Sequence, residues 1–238
     1  MKLVGERRAL AAAVFAFYFL AYGMMVLSGA LPPEFGKAFM ALAGVYGLAF
    51  FSLVAGYFWA RWYAVGVGLY GVITGAVGLW QMGPEPIILF IGGTHLAATV
   101  ALWGNQMAEG YDGQTAWREK LHMDENAVQR LGRSVIRAGV SLPMVLLYAL
   151  APKPGGAAEM AIAGAALLLA GVGMRALVRA RTWGVFAVGT AGALLVAMAG
   201  VEMACNAHEL SVLKPALGGS LLLSAAAPWL APMLRYVR

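Results

Sequence analysis

Charged residues are scarce in this chain: only 12% of its 238 residues are Asp, Glu, Lys or Arg, against roughly 25% in an ordinary soluble domain. With 61% of residues apolar, no soluble core of this size could bury the apolar surface, so lipid must be part of the solvent. A single cysteine, Cys205, excludes an intrachain disulfide and leaves cystine silent about compartment. No phosphate-binding glycine loop, nucleophile elbow, Cys-x-x-Cys pair or paired carboxylate is present, which argues against a soluble enzyme. The formal charge of +6 is spread among loops, so nucleic acid is not the expected partner.

What the chain does have is long apolar runs. A spanning helix needs about 20 mostly apolar residues, and eight segments approach this: 10–31, 38–60, 63–81, 86–106, 138–150, 160–174, 183–201 and 215–233. The first is too long for a signal-peptide core and reads as a retained helix. Pro32-Pro33-Glu34, Gly83-Pro84-Glu85, the run Pro152-Lys153-Pro154-Gly155-Gly156 and the segment 202–214 punctuate them.

Lys and Arg set the orientation, because cytoplasmic loops carry their excess. Lys2, Arg7, Arg8, Arg61, Arg118, Lys120, Arg130, Arg133, Arg137, Arg175, Arg179, Arg181, Arg235 and Arg238 fall on one side; Lys37, Lys153 and Lys214 fall on the other, a 14 to 3 split. An even number of spans makes that split self-consistent and puts both termini inside. Short loops and the Ala, Gly, Val and Leu bias suggest a bacterial cytoplasmic (inner) membrane.

The expected architecture is an all-α, polytopic membrane bundle of about eight transmembrane helices, arranged as two tandem four-helix repeats. Residues 1–108 form the first repeat, 109–137 a cytoplasmic linker and 138–238 the second repeat. In the linker, Asp124 is a candidate N-cap, and Ala127, Val128, Leu131 and Val135 recur at helical spacing opposite Gln129, Arg130 and Arg133. An interfacial helix running into the fifth span is expected. The repeat rests on matches such as Ala60-Arg61 with Ala180-Arg181 at an offset of 120, and Gly92-Gly93-Thr94 with Gly218-Gly219-Ser220 at 126. Gly68, Gly71, Gly75 and Gly78 form one helical face; at an offset of 121 they become Gly189, Gly192, Val196 and Ala199, where Val196 breaks the pattern while Ala193 and Ala197 continue a row of small residues from Gly189 at intervals of four. Such rows let helix backbones approach closely in lipid, and parallel repeats would be related by an axis along the membrane normal.

No Asp, Glu, Lys or Arg falls in the inner part of a span, which counts against a proton-coupled pump and against a retinal protein. His95 lies in mid-span and has Leu221 at its repeat-equivalent position, so paired histidine ligands for one haem are not expected. Thr94, His95, Thr99 and Asn105 are the candidate lining of a passage between the repeats. Glu202, Cys205, His208 and Glu209 would project near one another on a helix and are zinc or copper ligand types, although their spacing matches no metal signature and a polar helix cap explains them as well. No cofactor is specified by these residues.

Three readings follow. The leading one is a noncatalytic membrane subunit or scaffold, in contact with the lipid bilayer and with other membrane subunits or further copies of itself. The second is a transporter or channel for a neutral or lipophilic solute. The third is a metal- or haem-binding redox protein of the membrane.

Overall fold

The computed structural model describes residues 2–111, 115–151, 156–205 and 209–237, and among these it contains ten α-helices and no strand. They are α1 (Lys2–Leu27), α2 (Pro33–Ala55), α3 (Ala60–Met82), α4 (Pro86–Ala101), α5 (Asn105–Tyr111), α6 (Thr115–Lys120), α7 (Glu125–Leu150), α8 (Gly156–Val178), α9 (Trp183–Ala204) and α10 (Glu209–Val237). Six of them, α1, α2, α3, α7, α8 and α9, are long and apolar enough to cross a membrane. The apolar α4 is shorter at 16 residues, about 24 Å, and α10 has 29 residues.

Each apolar segment of the sequence contains a helix, but the ends differ for local reasons. Gly56 adopts φ 73° and stops α2 at Ala55, its N–H meeting the Ser52 and Leu53 carbonyls. The second apolar run is therefore cut before Ala60, where an apolar count alone sees no break. Pro33 opens α2 and Pro86 opens α4, positions where the missing proline N–H has no partner to lose. Asp124 does cap α7, its carboxylate accepting from the Ala127 N–H at 2.6 Å. From there α7 continues unbroken to Leu150, so the 137/138 boundary falls inside one helix.

The helices pack as two groups. In the first, α1 lies against α2 and α4, and α3 lies against α2 and α4; in the second, α7 and α9 each contact α8 and α10. The groups meet where α7 packs on α3 and, less extensively, on α2. At that seam two backbones nearly touch: a Cβ built on Gly66 would lie 2.8 Å from the Gly139 Cα. Below it, Gly132 makes room for the Trp62 indole, which a Cβ would meet at 2.9 Å.

The stretch between α4 and α7 is more than a basic connector. Met107 and Tyr111 of α5 and Trp117 of α6 are buried in the core of the first group. Trp117 stacks on Phe58 with ring centroids 4.1 Å apart. Trp62 and Trp117 are interior, whereas Trp80, Trp103 and Trp183 are exposed.

Candidate functional site

His95 is completely buried among α1, α2, α3 and α4, and the surrounding aromatic side chains explain how an imidazole is tolerated there. Its Nδ1 sits 2.8 Å from the Ile91 carbonyl, which can only accept, so Nδ1 donates. In the neutral ring Nε2 is then an acceptor, and the Tyr46 hydroxyl lies 2.7 Å away to donate. The Tyr18 ring packs 4.3 Å from the imidazole, centroid to centroid, and its hydroxyl meets Thr94 Oγ1 at 2.7 Å. Thr94 donates onward to the Phe90 carbonyl and Thr99 to the His95 carbonyl, at 2.7 and 2.8 Å. Both ring nitrogens are engaged, so haem or metal ligation by His95 would first break one of these bonds.

Glycine makes this arrangement possible. Gly71 faces the imidazole so closely that a Cβ there would collide with it, and Gly68 stands in the same relation to the Thr99 hydroxyl. Farther along, a Cβ on Gly75 would lie 2.7 Å from the Gly92 Cα, while Gly78 faces Ile88. The row of small residues on α3 thus lies against α4. On α9 the inward positions are Gly192, packed on Gly219 and Leu223 of α10, and Ala199; Gly189 is partly covered, and Ala193 and Ala197 lie on the outer surface.

Thr94, His95 and Thr99 consequently belong to the interior of the first group, away from the α3–α7 boundary where a passage between repeats would run. The Asn105 side chain lies outside the described residues. Of the proposed metal ligands, His208 and the Glu209 side chain also lie outside them. Cys205 is exposed, and Glu202 accepts a 2.6 Å hydrogen bond from the Tyr148 hydroxyl through Oε1. Among the described residues no group of three His, Cys, Asp or Glu side chains is placed to hold a metal ion.

The arginines gather at the bundle end shared by the start of α1, the turn before α3 and the start of α7, where several satisfy backbone carbonyls. Arg7 Nε donates to the Ala101 carbonyl at 2.9 Å and its Nη2 to those of Val100 and Trp103, closing the end of α4. Arg8 does the same for α2, reaching the Leu53 carbonyl at 3.0 Å through Nε and that of Val54 at 2.8 Å. Last-turn carbonyls lack intrahelical donors and carry the negative end of the helix dipole, so guanidinium groups suit them. Tyr111 donates to Leu53 as well; burial raises its pKa, partly opposed by Arg8 and Arg61.

A cavity of about 700 Å³ opens beside the α3–α7 seam at this same end. Arg61, Trp62 and Val65 of α3, Arg118 of α6, and Arg133 and Ile136 of α7 form much of its wall, with Trp103, Glu109 and Glu125 around it. Arg118 and Glu125 pair at 3.1 Å. No family model, curated protein or solved structure matches this chain.

Geometry alone therefore ranks the sites. The His95 cluster is a closed hydrogen-bonded core, whereas the basic-end cavity presents charge and apolar surface together in an open space. The cavity is not legible along the sequence, because Arg61, Trp103 and Arg133 belong to three different segments, each ordinary as a basic or aromatic residue near a helix end. Only the packing of α3 on α7 brings them to one wall.

Proposed function

We propose that this chain is a noncatalytic membrane subunit or scaffold of eight spans, with both termini cytoplasmic and two parallel four-helix repeats, resident in a bacterial inner membrane. The observation that supports it is the closure of the polar interior. Among the described residues, the buried side-chain nitrogen and oxygen atoms without a hydrogen-bond partner are Trp117 Nε1 and Glu202 Oε2, both near helix ends rather than in the middle of a span. Catalysis or proton transfer needs polar groups aimed at a reactant; here His95, Thr99, Ser134 and Ser141 are directed at protein atoms. Outward, α1 presents Phe17, Leu20, Met24 and Leu27, an apolar face suited to lipid or to a neighbouring helix.

The test is purification from the native host in nanodiscs, with a photo-crosslinking residue at Leu20 and analysis for metal and visible absorption. A partner chain recovered in stoichiometric amount and crosslinked at Leu20 is the expected result. A lone chain carrying haem or bound metal would overturn the reading in favour of redox chemistry. Solute passage is the second reading, favoured by a cleft of about 460 Å³ walled by α2, α3, α7 and α8. It predicts solute flux in vesicles containing the pure chain.

A further inference from the structure

The second helix group reaches the first through α7, whereas α8 packs on α7 and α9 and makes no extensive contact with α2 or α3. A cleft of about 460 Å³ is left between them. Val135, Ala138 and Leu142 of α7 line it, with Leu48 of α2, Tyr63 of α3 and Met174 of α8. The one hydroxyl among these, on Tyr63, donates to the Val45 carbonyl at 3.4 Å, so this stretch of wall is apolar.

Charge enters at one end. Arg175 lies in the last turn of α8 and Arg179 just beyond it; both line the cleft and both are exposed. The Arg179 N–H meets the Ala176 carbonyl at 3.1 Å, so the chain is still turning there. Among the described residues neither guanidinium has a side-chain hydrogen bond or ion pair. Arg7, Arg8, Arg61 and Arg137, by contrast, donate to backbone carbonyls, and Arg118 pairs with Glu125. No carboxylate is among the described residues that line the cleft. Trp59, just before α3, stands at the same end, stacked on Tyr57 at 5.6 Å and edge-on to Tyr63. Tryptophan at the end of a span settles at headgroup level, and from Val178 back to Gly171 the α8 wall descends about 10 Å below it. Over that depth a helix, about 10 Å across, would fill roughly 800 Å³, far more than this cleft offers; a hydrocarbon chain is much thinner.

We propose that the cleft holds an anionic phospholipid of the surrounding leaflet, with one acyl chain along Leu48, Leu142 and Met174 and its phosphate on Arg175 and Arg179. Guanidinium forks match phosphate oxygens and stay charged at any physiological pH, and basic pockets between spans suit such headgroups. Arginine stems lie along apolar wall while their heads reach the interface, which places both charges where the phosphate sits. The site is independent of the scaffold reading, and a resident lipid accounts for this cleft without solute passage.

The experiment is native mass spectrometry of the full chain released from nanodiscs of phosphatidylglycerol mixed with phosphatidylcholine. The wild type is expected to retain one phosphatidylglycerol molecule in preference to phosphatidylcholine. Arg175→Gln with Arg179→Gln should weaken that retention roughly tenfold or more, since each basic residue near the bilayer surface adds to the attraction for anionic lipid. Arg130→Gln with Arg133→Gln removes the same charge from the same end, outside the described lining of the cleft, and should leave retention unchanged. Gly171→Phe keeps every charge, and no neighbouring atom lies within 4 Å of a Cβ added there, so the helix accepts the ring while the cleft is filled. Retention should fall to the same extent in that variant, which also serves if the arginine pair fails to fold. A photo-crosslinking residue at Leu48, 48% exposed on the cleft wall, should yield a lipid adduct in native membranes. A protein adduct at Leu48, equal retention of the two lipids by the wild type, equal loss in the control pair, or unchanged retention in Gly171→Phe overturns the proposal.

Discussion

At the scale of single residues, the first group is organised around one imidazole. Tyr46 and the Ile91 carbonyl together satisfy His95, and an unsatisfied buried polar group costs about 1–3 kcal/mol. Tyr46→Phe should therefore lower stability by about that much, as should His95→Phe. The double variant should lose less than the sum, because neither partner is then orphaned; thermal unfolding in a fixed detergent measures all three. Gly71→Ala should cost more than an average helix Gly→Ala change despite the gain in helix propensity, since its methyl group would collide with the His95 ring. The sequence showed His95 and the glycine row separately. That they form one contact depends on how α3 sits against α4.

At the scale of elements, proline and arginine explain how α7 and α10 are held together. Pro228 lies inside α10 and has no N–H, so the Ser224 carbonyl four residues earlier loses its helical donor. Arg137 Nη1 reaches that carbonyl at 2.5 Å, and Ser134 Oγ reaches the next one, Ala225, at 2.6 Å. Ser141 adds a bond to the Gly218 carbonyl at 2.7 Å. Arg137→Met should destabilise the second group by about 1–3 kcal/mol, and Pro228→Ala should recover part of the loss by restoring the helical donor. Measured unfolding midpoints that fall equally with and without Pro228→Ala would remove this explanation. Asp124→Ala should cost about 1 kcal/mol through the lost cap on α7, read by increased hydrogen exchange in its first turn.

At the scale of the whole molecule, the two groups depend on the Gly66–Gly139 approach. Gly66→Leu should force α3 and α7 apart, and overpacking of this kind costs typically about 1–3 kcal/mol. Exchange should rise along both helices at the seam while the His95 cluster stays protected. Orientation has its own probe. Cys205 is exposed near the end of α9, so an impermeant maleimide should label it in spheroplasts without permeabilisation. A cysteine at Arg181 in a Cys205→Ser background should label only after permeabilisation. The reverse pattern would invert the proposed topology.

The sequence by itself determined that this is an all-helical, membrane-type chain, because apolar runs of span length with few charges have no other stable form. It also marked the helix starts that rest on local chemistry, such as the Asp124 cap. It did not mark the stop at Gly56, which interrupts an apolar run through a left-handed backbone rather than a polar break. Tertiary structure decided which small-residue faces turn inward, placed Tyr46 against His95, and assembled the basic-end cavity from Arg61, Trp103 and Arg133. The physical reason is that hydropathy and periodicity describe one helix at a time. Which faces meet depends on close packing between segments more than sixty residues apart, as in the approach of Gly66 to Gly139, and in lipid that choice rests on shape and hydrogen bonds rather than apolarity.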